Sequence, residues 1–545
     1  MDGVQPPSPR PGRAVRAVSA LVVAASAAYF WATNLADEDL WNHLNFGEQK
    51  LRTLAIPTIE ASSYSAPGHP WFNHEWGAEV IFALCYRWGG TAALFALKIA
   101  AGLAIAAAIL ATARTLVRRE HEDETADPVL VAGVLLVALS ALAPGASFRP
   151  QLFTMTCLAI EWWLLVRADA RLFAADGARD VGWELALVPL VVWAWTNLHG
   201  GFPVGVGLHG LFVAGVLLHA ALARVLGDPA PTGRALALVC ASGLATLLAT
   251  LVNPYGPALL WYLATTLADH GRITEWLPLD VFAASHFSFD VLALATLGCI
   301  VPWWRARTPR SARLDWRLVF LAVALVAALR HQRHSVLFVV AATPLLIAAA
   351  EHLRRRLVAE RPALAPRPPV LAWIAAGALL VATVQVAGVA SRFARDGFAI
   401  RYDRLEFPAD AIAFLREHDV RGNMAVQFEW GGYTLMHLPD RARVFIDGRY
   451  EASYPPAVMD DWWAFIEGGD GWARVLDAYP TDVVMVERTA TVVRLLDGRP
   501  DLARVYADGT AVVYLHRTPA NAAALAELTA VAARRPADAR PTYFP

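Results

Sequence analysis

Eleven apolar segments recur along the first 395 residues of the chain, near 14–34, 91–117, 128–143, 150–167, 181–197, 203–222, 235–252, 286–303, 317–331, 335–350 and 370–391. A helix needs about 20 predominantly apolar residues to cross a bilayer, fewer where other helices bury it. Backbone in lipid must satisfy its own hydrogen bonds, so such segments fold as helices. Composition agrees: 57% of the 545 residues are hydrophobic and 17% charged, where a soluble domain carries about 25% charged residues. This apolar excess excludes a single water-soluble core, a disordered tail, a coiled coil and a disulfide-stapled domain. A formal net charge of −1 provides no field to recruit nucleic acid. Cys85, Cys157, Cys240 and Cys299 lie in apolar stretches without metal-ligand spacing and read as small core residues. Segments 76–90 and 256–268 carry Trp, Tyr and flanking Gly. They are expected to lie at the membrane interface or to re-enter it.

Arginine placement predicts the orientation. One set of loops holds Arg10, Arg13 and Arg16, then Arg114, Arg118 and Arg119, then Arg167, Arg171 and Arg179, then Arg224 and Arg234. It continues with Arg305, Arg307, Arg310 and Arg313, then Arg354, Arg355, Arg356, Arg361 and Arg367. The opposite loops hold far fewer, among them Lys50, Arg52, Arg149, Arg272, Arg330 and Arg333. The alternation places the N-terminus in the cytoplasm and the C-terminus outside. Segment 14–34 also has the form of a signal peptide, with Ala25-Ser26-Ala27 as a cleavage-like site, and cleavage would leave the rest of the topology unchanged.

After about residue 395 the pattern changes to short β-like runs at 423–428, 442–446, 481–486 and 511–516, with helical patterns at 408–418, 457–466, 490–497 and 519–534. Alternating strands and helices predict an extracytoplasmic α/β domain over 396–545, ending in a loose tail. The expected fold is a polytopic α-helical membrane domain over 1–395, with a long first outward loop at 35–75, followed by that α/β domain.

Polar residues gather in the outward loops. The first opens with Asp37-Glu38-Asp39-Leu40-Trp41-Asn42-His43 and closes with Asn73-His74-Glu75-Trp76. If a helix begins near Asp39, then Asp39 and His43 share one face at i,i+4. A carboxylate held there can act as a general base or bind a metal, although an acidic helix start favoured by the dipole uses the same residues. Glu75 and His74 are either interfacial anchors or the second half of the same site, and Asp37, Asp39 and His74 are candidate ligands for Mg or Mn. Arg149 begins the fourth segment and His199 ends the fifth, each beside a polar turn. Arg330-His331-Gln332-Arg333-His334 places cations against the charge rule, which an anion explains, most naturally a phosphate. In the C-terminal part, Trp430 and Tyr433 follow one strand and Asp447 and Arg449 the next. Strand ends are where α/β sheets bind ligands.

The stretches DEDLWNHL, FNHEWGAE, RPQLF, NLHGGF, NPYG and WGGY…VFIDGR, in this order, resemble the GT-C superfamily of membrane glycosyltransferases, and most closely its multi-span bacterial members. Those enzymes use polyprenyl-phosphate-linked sugars outside the cytoplasm and place an acidic catalytic motif in the first outward loop, where Asp39-Leu40-Trp41-Asn42-His43 stands. Trp430-Gly431-Gly432-Tyr433 followed by Asp447 also resembles the acceptor motif of oligosaccharyltransferase catalytic subunits. It lacks their second Trp and their Asp, so peptide recognition does not carry over. The resemblance implies a bacterial inner-membrane transferase with Asp39, His43 and Glu75 as catalytic groups. Arg149, His199, Arg330 and Arg333 would hold the donor phosphate, and Trp430, Tyr433, Asp447 and Arg449 would contact a glycan, lipid or protein acceptor. It leaves the sugar open. A lipid-linked-glycan transporter and a non-catalytic subunit of envelope glycan assembly are the alternatives. A transporter would place ionisable residues near the bilayer midplane, where the sequence puts only Lys98 and Glu161.

Overall fold

A computed structural model describes residues 12–121, 125–173, 182–228, 230–266, 274–307, 315–364, 368–403, 406–528 and 542–543. Arg10, Arg179, Arg272, Arg310, Arg313 and Arg367, used above for orientation, lie outside the described residues. Among the described residues, thirteen α-helices precede the sheet: α1 (Arg13–Trp31), α2 (Glu38–Thr53), α3 (Trp76–Glu120), α4 (Pro128–Leu142), α5 (Gln151–Leu172), α6 (Gly182–Leu198), α7 (Pro203–Leu226), α8 (Gly233–Ala249), α9 (Ala258–Thr266), α10 (Phe287–Ala306), α11 (Trp316–Arg330), α12 (Ser335–Glu360) and α13 (Pro368–Asp396). Each of the eleven apolar segments lies on one of them. Among the described residues, seven helices are long and apolar enough to cross a membrane, and Gly233–Ala249 is a shorter apolar one. Segment 76–90 is not a separate helix. It joins α3 across a kink at Gly90, whose φ of 57° suits glycine.

Local chemistry explains the helix ends. Asp37 caps α2, accepting from the Asp39 N–H at 3.0 Å, with Glu38 and Asp39 in the first turn and Lys50 and Arg52 in the last. Asp127 caps α4 ahead of Pro128, and α7 runs from Pro203 to a left-handed Gly227. Helix α12 is buried on every side from Val336 to Ala349 and forms the centre of the bundle. It continues to Glu360, beyond the apolar run, because Glu351 pairs with Arg354 and Arg355, and Arg356 with Glu360, at helical spacing.

The C-terminal part contains β1 (Arg401–Tyr402), α14 (Ala409–Glu417), β2 (Gly422–Val426), α15 (Gly431–His437), β3 (Ala442–Val444), α16 (Pro456–Glu467), α17 (Arg474–Asp477), β4 (Val483–Glu487), α18 (Val493–Asp497), β5 (Leu502–Ala507), β6 (Ala511–His516), α19 (Ala522–Leu528) and β7 (Thr542–Tyr543). Five strands form one sheet in the order β3-β2-β4-β6-β5, parallel across β3-β2-β4 and antiparallel beyond. Alternate residues feed two cores. Met424, Val426, Met485 and Val513 face one side with Leu40 and Trp41 of α2, while Ala425, Val484, Val512 and Tyr514 face the other with Tyr64.

Three expectations need correction. Strand β5 is missing from the pattern reading, and residues 431–437 form a helix rather than a strand-exit turn. The C-terminal tail is not wholly loose, since Thr542–Tyr543 pair with β1. The predicted helix over 519–534 is seen as Ala522–Leu528, and its remainder lies outside the described residues.

The first loop ties the two parts together. Leu35 bridges Arg401 and Ser63 bridges Val444. Two glycines permit the close approach. A Cβ on Gly432 would stand 2.6 Å from the Asn42 side chain, and one on Gly448 would stand 2.7 Å from Asp39 Oδ1. Their role in the WGGY and IDGR stretches is to let α2 lie against the sheet's helix and loop.

Candidate active site

The polar loops expected to face outward converge on one cavity of about 840 Å³. Its lining includes Asp39, His43, His74, Glu75, Arg149, His199, Arg333 and Arg449, which come from residues far apart in the chain. Pro203, Val204, Leu263, Val336 and Leu337 give it an apolar wall. Motif to motif, Tyr255 of NPYG accepts from the Asn73 N–H at 2.9 Å, and Trp76 Nε1 donates to Asn197 Oδ1 at 3.2 Å.

Arg149 sits among three carboxylates. It pairs with Asp37 and Glu275 and lies 3.3 Å from Asp39 Oδ2. Asp37 thus serves as helix cap and arginine partner at once. Burial pushes its carboxyl up, while Arg149 opposes that and Asp39 adds to it. Asp39 keeps about a third of its side chain exposed to the cavity.

A second cluster surrounds Glu75. His199 Nε2 is 3.5 Å, His74 Nε2 3.9 Å and His43 Nδ1 4.0 Å from its carboxylate. The His199 ring accepts at Nδ1 from the Gly201 N–H at 3.0 Å and contacts the Thr154 hydroxyl at 2.7 Å. The neutral tautomer inferred from these bonds carries its proton on Nε2, towards Glu75. Burial, with His74, Arg333 and His43 nearby, holds the His199 pKa well below the usual imidazole range. His199 Nε2 thus points a hydrogen-bond donor towards Glu75. His43 goes the other way: burial opposes its charge, but Glu79, Glu75 and Asp39 raise its pKa overall. Glu79 lies 3.9 Å from His43 Nδ1, an ion-pair separation rather than a hydrogen bond.

Glu79 is absent from the residues singled out by motif. It pairs with Lys50 and accepts from Asn73 Nδ2 at 2.8 Å, all buried. The available signal is that Lys50 and Lys98 are the only lysines in an arginine-rich chain. An exposed cation has no reason to be the rarer type, whereas Lys50 fills a compact buried position.

The four residues expected to contact an acceptor divide. Trp430 is buried and donates from Nε1 to the Glu406 carbonyl at 2.7 Å. Tyr433 is buried edge-on against Trp41. Asp447 is fully buried, accepting from Arg449 and from the Tyr454 hydroxyl at 3.1 Å. These three do not line the cavity: Trp430 and Tyr433 share a core with Trp41 of α2, and Asp447 anchors Arg449. Arg449 does line it, paired with Glu60 and Asp447 and stacked between Phe46 and Trp71 at 4.3 and 4.7 Å.

Of the two arginines breaking the charge rule, Arg333 lines the cavity and stacks on Trp276 at 4.6 Å. Among the described residues it has no carboxylate ion pair. Arg330 is exposed and outside the lining. Asp37, Asp39 and His74 do not assemble as one ligand set, because Arg149 occupies the space beside both aspartates while His74 lies by Glu75. A divalent ion held by them would have to displace that arginine.

Two cavity carboxyls titrate near neutrality. Glu38 is raised to about 7 by burial and by Glu429, Asp39 and Asp37, and Glu451 is raised to about 7 by burial. The folded state binds these protons more tightly than the unfolded state. Their contribution to stability is therefore full below about pH 4.5 and is lost as pH rises through about 7. The thermal midpoint of the detergent-solubilised protein is expected to fall between pH 5 and 8. A Glu38→Gln, Glu451→Gln variant should show a shallower fall. An equal slope in both proteins would mean that these carboxyls are already ionised at pH 5.

No family model and no curated protein sequence matches this chain. Solved structures do match. The archaeal oligosaccharyltransferase AglB from Archaeoglobus fulgidus, in complex with an inhibitory peptide and a dolichol-phosphate, is similar over 87% of this chain and 69% of its own, with TM-score 0.56 and 11% identity. The apo form of that enzyme gives TM-score 0.57 at 12% identity over 86% and 69%. ArnT from Cupriavidus metallidurans in the apo state is similar over 91% of this chain and 97% of its own, with TM-score 0.50 and 14% identity. Identities this low speak to architecture alone: the chain has the fold of these two solved proteins, and seven helices among its described residues are long and apolar enough to cross a membrane.

Proposed function

We propose that the protein is a membrane glycosyltransferase that moves a sugar from a polyprenyl-phosphate donor to an acceptor hydroxyl outside the cytoplasm. In this reading residues 1–395 form the catalytic membrane domain and 396–545 an extracytoplasmic domain that closes the cavity. The observation that carries it is the single cavity in which an accessible carboxylate, Asp39, and an arginine without a carboxylate ion pair, Arg333, face one space beside an apolar wall. The arginine asymmetry between loops supports the orientation, and a bacterial inner membrane is the setting proposed.

The donor's prenyl chain lies along the apolar wall and its phosphate meets Arg333, whose fork suits phosphate oxygens. The acceptor hydroxyl gives its proton to Asp39 as its oxygen bonds to the anomeric carbon. The bond from that carbon to the phosphate oxygen breaks, and its electron pair leaves with the polyprenyl phosphate, inverting the centre. Arg149 positions Asp39 by holding Asp37 and Glu275. His43 and Glu75 border the same space, His43 orienting the carboxylates and Glu75 as a second carboxylate.

Purified protein supplied with a panel of labelled polyprenyl-phosphate sugars and envelope glycan, lipid or protein acceptors is expected to transfer label from one donor class. Absence of transfer from every such donor by folded protein would overturn the reading. Arg333→Ala is expected to weaken donor binding about 10- to 100-fold, the worth of a charge-assisted hydrogen bond. Arg330→Ala should bind normally. Equal affinities for Arg333→Ala and wild type would remove the phosphate role.

A further inference from the structure

Far from the cavity, the last turn of α3 meets the last turns of α12. Glu120, His121 and His352 each turn one ligand atom inward, and the three atoms lie within 4.8 Å of one another. His352 Nδ1 is 3.2 Å from Glu120 Oε2, and the two imidazole rings are 5.8 Å apart between centroids. Two features set this cluster apart from an ordinary ion pair. Among the described residues His121 Nε2 is buried without a hydrogen-bond partner, a costly state for a polar atom, and His352 Nδ1, also buried, meets only the Glu120 carboxylate as an ion pair. The other Glu120 oxygen, Oε1, accepts from Trp303 Nε1 at 2.6 Å. That bond fixes the carboxylate and leaves Oε2 for another partner, as outer-shell groups do around bound metals.

We propose that Glu120, His121 and His352 form a zinc site at the end of the helix bundle opposite the cavity. Tetrahedral zinc has bonds of about 2.0–2.1 Å and so spaces its ligands roughly 3.3 Å apart, matching the His352–Glu120 separation. Two imidazoles and one carboxylate suit this borderline-soft ion better than magnesium or calcium, which take oxygen. Arg355 stands close by, but Glu351 neutralises it. The Glu120 and His352 side chains remain 20% and 23% exposed, leaving an entry path and room for a water as fourth ligand. The site joins α3 to α12, the buried centre of the bundle, roughly 25 Å along α12 from the cavity by helical rise. Its role is therefore to clamp the bundle rather than to act on substrate.

The test uses full-length protein carrying a tag without histidines, stripped with chelator in detergent and titrated with zinc and cobalt. One equivalent of zinc per chain, tetrahedral cobalt bands and a raised thermal midpoint are expected. His121→Gln and His352→Gln should each weaken binding by roughly 100-fold or more while remaining monodisperse on gel filtration. Wild-type protein that binds no zinc would overturn the proposal. So would zinc retained by both variants but lost in His74→Gln, which would assign the ion to the cavity. Neither result depends on donor transfer.

Discussion

Asp39→Asn is expected to lower turnover roughly 10²–10⁴-fold, the usual worth of a general base, with normal membrane abundance. The substitution keeps the size of the side chain and its hydrogen-bonding capacity but removes the basic charge. Asp39 is the better candidate of the two aspartates on geometric grounds. Asp37 spends its carboxylate on capping α2 and pairing with Arg149, whereas Asp39 is about a third exposed to the cavity and touches Arg149 only at 3.3 Å. Asp37→Asn should accordingly weaken folding and the placement of α2 more than the chemical step. It would show as a lower thermal midpoint, with most turnover retained in the protein that folds. Loss of wild-type transfer on adding EDTA would instead assign Asp37 or Asp39 to a divalent ion. Near-wild-type turnover in Asp39→Asn would shift the role to Glu75, which lies among His43, His74 and His199 in the same cavity.

Arg449→Met should cost about 3–5 kcal/mol of stability, because it leaves two buried carboxylates without their cation. Glu60 and Asp447 have fully buried side chains, and Arg449 is only 6% exposed. Glu60 also accepts from the Ser62 and Ser63 N–H groups, so one arginine fastens the loop between α2 and α3 to the loop after β3. Loss of that fastening should lower the thermal midpoint and make the 55–75 stretch sensitive to protease. Arg449→Lys keeps the charge but not the fork, and should fall between the two. Unchanged protease resistance in Arg449→Met would mean that stacking and the β-bridges hold the loop without the ion pairs.

The Arg449 network also separates what is local from what is not. Asp447-Gly448-Arg449 is visible in the sequence as a polar cluster after a strand, and the natural expectation is a ligand site. Glu60, 389 residues away, has no sequence feature that marks it as the arginine's partner. The same holds for Trp430 and Tyr433, which resemble an exposed acceptor platform until Trp41 of α2 is seen packed against Tyr433. Lys50 is the partial exception, since its rarity signals a special position without naming Glu79.

By itself the sequence determined the positions of the helices, most strands of the sheet and the clustering of polar residues in one set of loops. Each follows from local periodicity and from what a stretch of about 20 residues can place in lipid or water. Tertiary structure alone decided the charge partners. Arg149 binds Asp37 and Glu275, Arg333 enters the cavity while Arg330 stays outside, and two imidazoles meet Glu120 at the far end. Coulombic and hydrogen-bond energies depend on separations of a few ångströms. When those separations are set by helices that are remote in the chain, neither spacing nor composition records them.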